Sequence, residues 1–437
     1  MEEMAAEQFY LNKLSLYTEF IHLEDLKKEF SLLKVRYNTT KLDNLLSAQK
    51  YSEICDIIST STFPKTLFLD MKNLIIDNII YHSVSHVYID SLEKELDKTS
   101  ISNKIQSKLS ELTNNFSENA KSALHNDFYN LIDEVNVSKM NEIYIPSCYF
   151  VDEDLKIFCM LKMFNLTKNK SVLIPAMIIV NKEEKKIYTY LCNKFAMKKG
   201  EDAIIRSVDS YYNVLIKKLE VIFNIERRKF TKEDVSKYKR AMFETCVDMN
   251  KKLIEDYQKK LLKDMPPINT HIKNVIQNLG KMVSLSNTDK EKASKKIISI
   301  CVSEYMTKNV EGLELKKKAL EKKLPGYPTR IKFLGMDASS SNTKSKNKDQ
   351  PLPIHEIFHS LNTSFEYFGS IAEWRIAWFD RYLFHSSEEY KNRTSVSQST
   401  IKITDYNVLI NIMAREKKNK EMVSYIINEI QTSIKDF

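Results

Sequence analysis

The sequence predicts a mainly α-helical fold, with two helical lobes around a small four-stranded antiparallel β-meander. Three observations predict it. The chain of 437 residues contains only six glycines, where an average usage of about 7% would supply roughly thirty. Glycine provides positive-φ turns and close backbone approaches, so few tight turns and no phosphate-cradling loop are expected. Apolar residues recur at three- and four-residue steps over most of the length, which is the period of a half-buried helix. Only between about residues 143 and 193 do β-rich runs alternate with short polar turns.

Residues 1–140 are expected to form an acidic helical lobe. Leu11, Leu14, Ile21 and Leu23 give one stripe, and Leu67, Leu69, Ile75, Ile76, Ile79 and Ile80 a second that starts after Pro64. Residues 141–195 are assigned to the meander, with strands at 143–151, 156–166, 171–180 and 186–192. Pro175 lacks a ladder donor, so a bulge or an edge position is expected for the third run.

Residues 196–335 are assigned to a basic helical lobe. Tyr212, Leu215, Leu219 and Ile222 share one helix face, and Met265-Pro266-Pro267 breaks the next helix pair. Thr288-Asp289-Lys290-Glu291 has the form of a capping box and is expected to start a helix running to about Lys323. Residues 336–352 are assigned to a flexible linker, because no apolar residue follows Ala338 until its end. Residues 353–437 are expected to be a C-terminal helical segment of three helices. One would carry Phe365, Phe368, Trp374, Trp378, Phe379 and Tyr382 facing inward, and the last would be capped by Thr404 or Asp405.

Charge is segregated along this plan. Residues 1–159 carry a net −9 and residues 160–350 a net +19, within a total of +9. A local excess of that size points to a polyanionic partner. The candidate phosphate contacts are Arg227, Arg228, Lys229, Lys237, Lys239, Arg240, Lys316, Lys317, Lys318, Arg330 and Lys332. Cations at phosphates release counterions, and interleaved tyrosines stack on bases. No RNP1, zinc-finger or KH pattern is present, so binding would follow the backbone rather than the base sequence. The leading function is a non-enzymatic, self-assembling protein that binds single-stranded nucleic acid, RNA first, of nucleoprotein or capsid type. An acidic front and a basic middle suit contacts between copies in a homo-oligomer. The alternative for the same lysines is a solvated face of a helical interaction scaffold.

One short stretch carries a different chemistry. His355-Glu356-Ile357-Phe358-His359 resembles the HExxH pattern of zincin metallopeptidases over five residues. On a helix, the two histidines lie one turn apart and can both ligate zinc, with Glu356 as the base that activates bound water. The resemblance requires a third ligand, for which Glu373 and Glu366 are the candidates. No cofactor is expected unless this stretch holds zinc. The alternative is a pair of half-exposed histidines on an amphipathic helix. His82 and His86, also four apart, are read as ordinary helix residues.

Six scattered cysteines contain no Cys-x-x-Cys pair and read as reduced core thiols. The acidic N-terminus has no secretory character, and the longest apolar run, 172–180, is about half a bilayer span. These features lead to the expectation of no transmembrane segment and of a cytoplasmic or virion-internal location.

Overall fold

A computed structural model describes residues 13–95, 97–112, 129–134, 137, 139, 141–165, 170–192, 205, 207–264, 266–334, 340–344, 349–356, 358–359, 370–380, 395–413 and 418–434. The chain divides into two compact units. The first takes residues 1–229, 406–411 and 417–423, and the second takes 230–405, 412–416 and 424–437.

In the first unit, α1 (Leu23–Tyr37), α2 (Asp43–Ser47) and α3 (Tyr51–Thr60) precede the long helix α4 (Lys65–Ser83). Pro64 is its N-cap residue, where a missing backbone donor is harmless. Leu67, Met71, Ile75, Ile76, Ile79 and Ile80 form its buried stripe. At Val84 the chain passes from the helix into β1 (Val84–Ser91) without a loop. After α5 (Lys98–Leu112) and the short β2 (Tyr129–Asn130) come β3 (Ile143–Val151), β4 (Asp154–Asn165), β5 (Lys170–Asn181) and β6 (Lys186–Cys192). Helix α6 (Val208–Phe223) follows, capped by a reciprocal Ser207–Ser210 box. The far C-terminal strand β11 (Asn407–Ile412) completes the set.

The strand order in this unit is β2-β3-β4-β5-β6-β1-β11, with antiparallel neighbours throughout. β1 therefore lies inside the sheet, with His86–Asp90 opposite Asn411–Asn407 on one side and Leu191–Ile187 on the other. Successive strand residues point to opposite faces. Phe158, Cys159, Met160 and Leu161 are all nearly fully buried, so β4 is covered on both faces. Helix α4 packs on β5 and β6, and the Tyr211 hydroxyl of α6 donates to the Ile174 carbonyl on β5 at 3.1 Å. Pro175 faces Met160 in unbroken register with β4, and pairing to β6 begins one residue later at Ala176. The proline therefore lies at the end of the described β5–β6 pairing, and the β4 side runs past it without a bulge.

The second unit opens with α7 (Lys232–Asp264), α8 (Pro266–Met282), α9 (Asn287–Asn309) and α10 (Gly312–Glu321). The capping box of α9 is formed by Ser286 and Asp289, two residues before the predicted pair. The helix ends at Asn309 instead of continuing to Lys323. The strands β7 (Gly326–Leu334), β8 (Ser340–Lys344), β9 (Ile371–Phe379) and β10 (Val396–Ile403) pair antiparallel in the order β10-β9-β7-β8. Leu253, Ile254, Val302, Met306, Leu315, Tyr327, Ala377 and Phe379 form a core where helices meet strands.

The prediction of helical lobes around a small four-stranded meander is corrected by this architecture. Among the described residues, antiparallel pairing runs through seven strands in the first unit and four in the second. The four meander strands are present, but β1 and β11 extend the same sheet. The C-terminal segment expected to hold three helices contains β9, β10, β11 and, among the described residues, one long helix, α11 (Lys420–Ser433). The error has a physical source. Trp374 and Trp378 are four residues apart, which places two side chains on one face in either a helix or a strand. Both are 1% exposed, and the Trp378 indole N–H donates to Ser399 Oγ at 2.7 Å across β9 and β10. Phe365, Phe368 and Tyr382 lie outside the described residues, as do 336–339 and 345–348 of the predicted linker. Its residues 340–344 form β8.

Gly326 is held by the close approach of β7 to β9. A Cβ built there would lie 2.2 Å from the Ala377 carbonyl oxygen. Backbone cannot rotate away as a side chain can, so Gly326→Ala is expected to lower stability by roughly 2 kcal/mol, within the range of an overpacked core site. Urea unfolding of the variant beside the parent measures it.

Candidate functional site

Within the HExxH stretch, Glu356, Phe358 and His359 are helical, and His355 stands just before them. Leu352–Ile354 make a single 3-10 turn, and His355 at its end is extended, with φ −107 and ψ 131. His359 is 2% exposed, and its Nε2 lies 2.6 Å from the Pro353 carbonyl oxygen. Burial lowers the pKa of that imidazole, against the hydrogen bond to Pro353. Glu373 stands on β9, paired with Arg330 and with Lys402, each at 3.1 Å. Two cations already neutralise the proposed third ligand. Glu356 is exposed, and Glu366 lies outside the described residues.

The predicted phosphate contacts separate into two kinds. Arg227 points inward in the first unit. Its guanidinium lies 3.7 Å from Asp90 Oδ1 and 3.6 Å from Glu220, donates to the Tyr212 hydroxyl at 3.1 Å, and stacks over the Tyr406 ring at 4.3 Å. In the second unit Lys318 pairs with Asp256 at 2.6 Å, Lys316 with Asp349 at 3.4 Å, Arg330 with Glu373, and Arg240 with Glu244 at 3.0 Å. Arg228, Lys229, Lys237 and Lys317 are exposed, and Lys239 and Lys332 are half-buried. The α10 lysines meet α7 at Asp256, sixteen residues beyond Arg240. At about 1.5 Å of rise per residue the two clusters lie roughly 24 Å apart along that helix. They do not merge into one compact patch.

Two polar clusters in the first unit escaped the sequence reading. One surrounds Asp90, which is fully buried on β1. Tyr212 donates to its Oδ1 at 2.5 Å, and Asn407 of β11 donates to the Tyr212 hydroxyl at 3.0 Å. Tyr88 stacks on Tyr212 with ring centroids 3.8 Å apart and donates to Asp209 at 2.5 Å. Burial pushes the Asp90 carboxyl up to about 7, against the opposing pull of Tyr212 and Arg227. A raised carboxyl can serve acid–base chemistry. Here it has no exposed surface at which to meet a substrate, so its role is to join strands.

The other cluster is His22, Asp25 and His82, whose ligand atoms lie within 4.8 Å of one another. It is the one group of three His, Cys, Asp or Glu side chains among the described residues with such a spacing. His22 and Asp25 are three apart at the start of α1, a detectable signal, but His82 is sixty residues away and nothing in the sequence links it to them.

Comparisons with protein families, with curated proteins and with solved structures give no match. No described helix is long and apolar enough to cross a membrane. All six cysteines are free, five of them buried, and burial pushes the Cys55 and Cys159 thiols up to about 12.

The Asp90 cluster makes two expectations. Above about pH 7, where Asp90 is ionised, Arg227→Ala strips the buried carboxylate of its cation and should lower stability by about 3 kcal/mol, with a smaller loss at acid pH. The folded state also keeps a proton on Asp90 up to about pH 7, whereas the unfolded chain loses it in the ordinary carboxylate range. The Asp90 contribution is therefore present at acid pH and is lost as pH rises through about 7. Urea midpoints between pH 5 and pH 8 should fall with pH in the parent, and that part of the slope should vanish in Asp90→Asn.

Proposed function

We propose that the protein is a non-enzymatic, self-assembling binder of single-stranded nucleic acid, RNA first, that works in the cytoplasm or inside a viral particle. The observation that carries this reading is the +19 net charge of residues 160–350 beside the −9 of residues 1–159. Lysine on a solvated helix does not by itself explain so uneven a distribution. The set of phosphate-binding residues is narrower than the sequence predicted. Arg227 serves the fold, so the phosphates fall first to Lys229 in the first unit and to Lys239 and Lys317 in the second, with the exposed Arg228 and Lys237 adding to the same positive field. The ion-paired Arg240, Lys316, Lys318 and Arg330 contribute to the field and position the rest. With the basic clusters of α7 and α10 some 24 Å apart, an extended strand suits them better than a compact ligand.

Assembly has separate support. Val275, Leu279, Met282 and Val283 recur at helical spacing along the end of α8 and are 56%, 43%, 84% and 56% exposed. Exposed apolar residues in such a row favour contact with another chain. A second copy, with its acidic front, provides a charge-complementary neighbour for the lysines at 273 and 281.

Binding of labelled oligonucleotides to the purified full chain tests this reading. Affinity should fall steeply with salt. Lys229→Ala, Lys239→Ala and Lys317→Ala together should weaken binding of every sequence alike and lower the salt slope by roughly one for each phosphate left without its lysine. Binding that ignores salt, or ignores this triple change, contradicts the proposal.

A further inference from the structure

We propose that His22, Asp25 and His82 form a binding site for a divalent first-row transition cation, Zn²⁺ being the probe of choice. The site uses none of the residues of the nucleic-acid reading and stands apart from it.

Two helices bring the ligands together. His22 is the N-cap residue of α1 and Asp25 lies in its first turn, so the two side chains share one face. His82 is in the last turn of α4, which packs against α1. Asp25 Oδ2 lies 2.9 Å from His22 Nδ1 and 3.3 Å from His82 Nε2. In a tetrahedral zinc site with bonds of about 2.0–2.1 Å, ligand atoms stand about 3.3 Å apart. The observed spacings need shifts of only a few tenths of an ångström for these two pairs.

A second observation points the same way. His22 Nδ1 is buried and makes no hydrogen bond, although a carboxylate oxygen lies 2.9 Å from it. The two atoms are close without being aligned as donor and acceptor. Ligand lone pairs directed at a common third atom have this relation. The His22 and His82 rings are stacked at 4.9 Å, with 29° between their planes. Two imidazolium charges at that separation repel, whereas a cation requires both rings neutral. Asn78 fixes the position of His22 by accepting its backbone N–H at 2.8 Å and donating to its carbonyl at 3.2 Å. Lys28 reaches only the other Asp25 oxygen, at 3.3 Å, and its largely exposed side chain leaves Oδ2 available.

The donor set narrows the ligand. Two imidazoles and one carboxylate suit zinc, iron(II), cobalt(II) or nickel(II) rather than calcium or magnesium. Three protein ligands leave a further coordination position for water or an exogenous group.

The test uses the full chain, stripped with a chelator, exchanged into buffer and titrated with ZnCl₂. One zinc per chain should be retained on desalting, and the thermal midpoint should rise on loading. Cobalt(II) should give the visible absorption of a low-coordinate site. Asp25→Asn, His82→Ala and the milder His82→Gln should each abolish stoichiometric uptake and the cobalt signal. Circular dichroism shows whether each variant keeps its fold. His359→Ala should retain one zinc. Absence of stoichiometric uptake by the stripped parent would overturn the proposal, as would uptake unchanged in a folded His82→Gln. Uptake lost in His359→Ala but kept in the His82 variants would place the metal at the other histidines and refute it as well.

Discussion

Asp90 is a fully buried carboxylate at the middle of a sheet, and distant parts of the first unit converge on one of its oxygens, Oδ1. A lone buried charge is prohibitive, so it must be neutralised, hydrogen-bonded or protonated. Tyr212 from α6, Arg227 from the segment after α6 and Asn407 from β11 all meet at or beside it. These partners come from three distant parts of the chain. β11 is more than three hundred residues from β1 in sequence, yet it supplies one wall of the cluster and pairs with β1 over five residues. Local propensity cannot bring these pieces together. The buried polar contacts reward one register over a slipped one, because a one-residue slip would turn Asp90 to the opposite face of the sheet.

The same cluster changes how the charges are understood. Arg227-Arg228-Lys229 looks in sequence like a phosphate-binding run. In the fold, the first cation is folded inward and the next two are exposed. Arginine suits the inward place because its planar guanidinium can stack on Tyr406 while facing Asp90 and Glu220. The second unit repeats the division. Lys318 and Lys322 share Asp256, whereas Lys317, beside Lys318 on the same helix, faces solvent. The exposed cations are therefore interrupted along the chain and do not form one continuous run.

The legible parts of the fold were those with one dominant period. The 65–83 stripe and the four strands between 143 and 192 were readable because burial repeats regularly and polar turns punctuate it. β1 was not readable, because Ser83-Val84 carries no glycine or proline break between helix and strand. Trp374 and Trp378 misled because a spacing of four satisfies both periods. Thr404 and Asp405 looked like a helix cap, but Phe230 N–H bonds the Asp405 carbonyl there and β11 follows. Of the candidate sites, the HExxH pattern was visible in sequence, and His355 is extended while Glu373 is held by Arg330 and Lys402. His22, Asp25 and His82 were invisible as a set, since only the packing of α1 on α4 makes them neighbours.

The central claim is that β11 closes the sheet on β1 through the buried cluster, as one cooperative element. Native-state hydrogen exchange followed by mass spectrometry measures this directly. The account predicts that the amides of 86–90 and 407–411 exchange together, at the slow rate set by unfolding of the first unit. Fast exchange of 407–411 while 86–90 stays protected would contradict it.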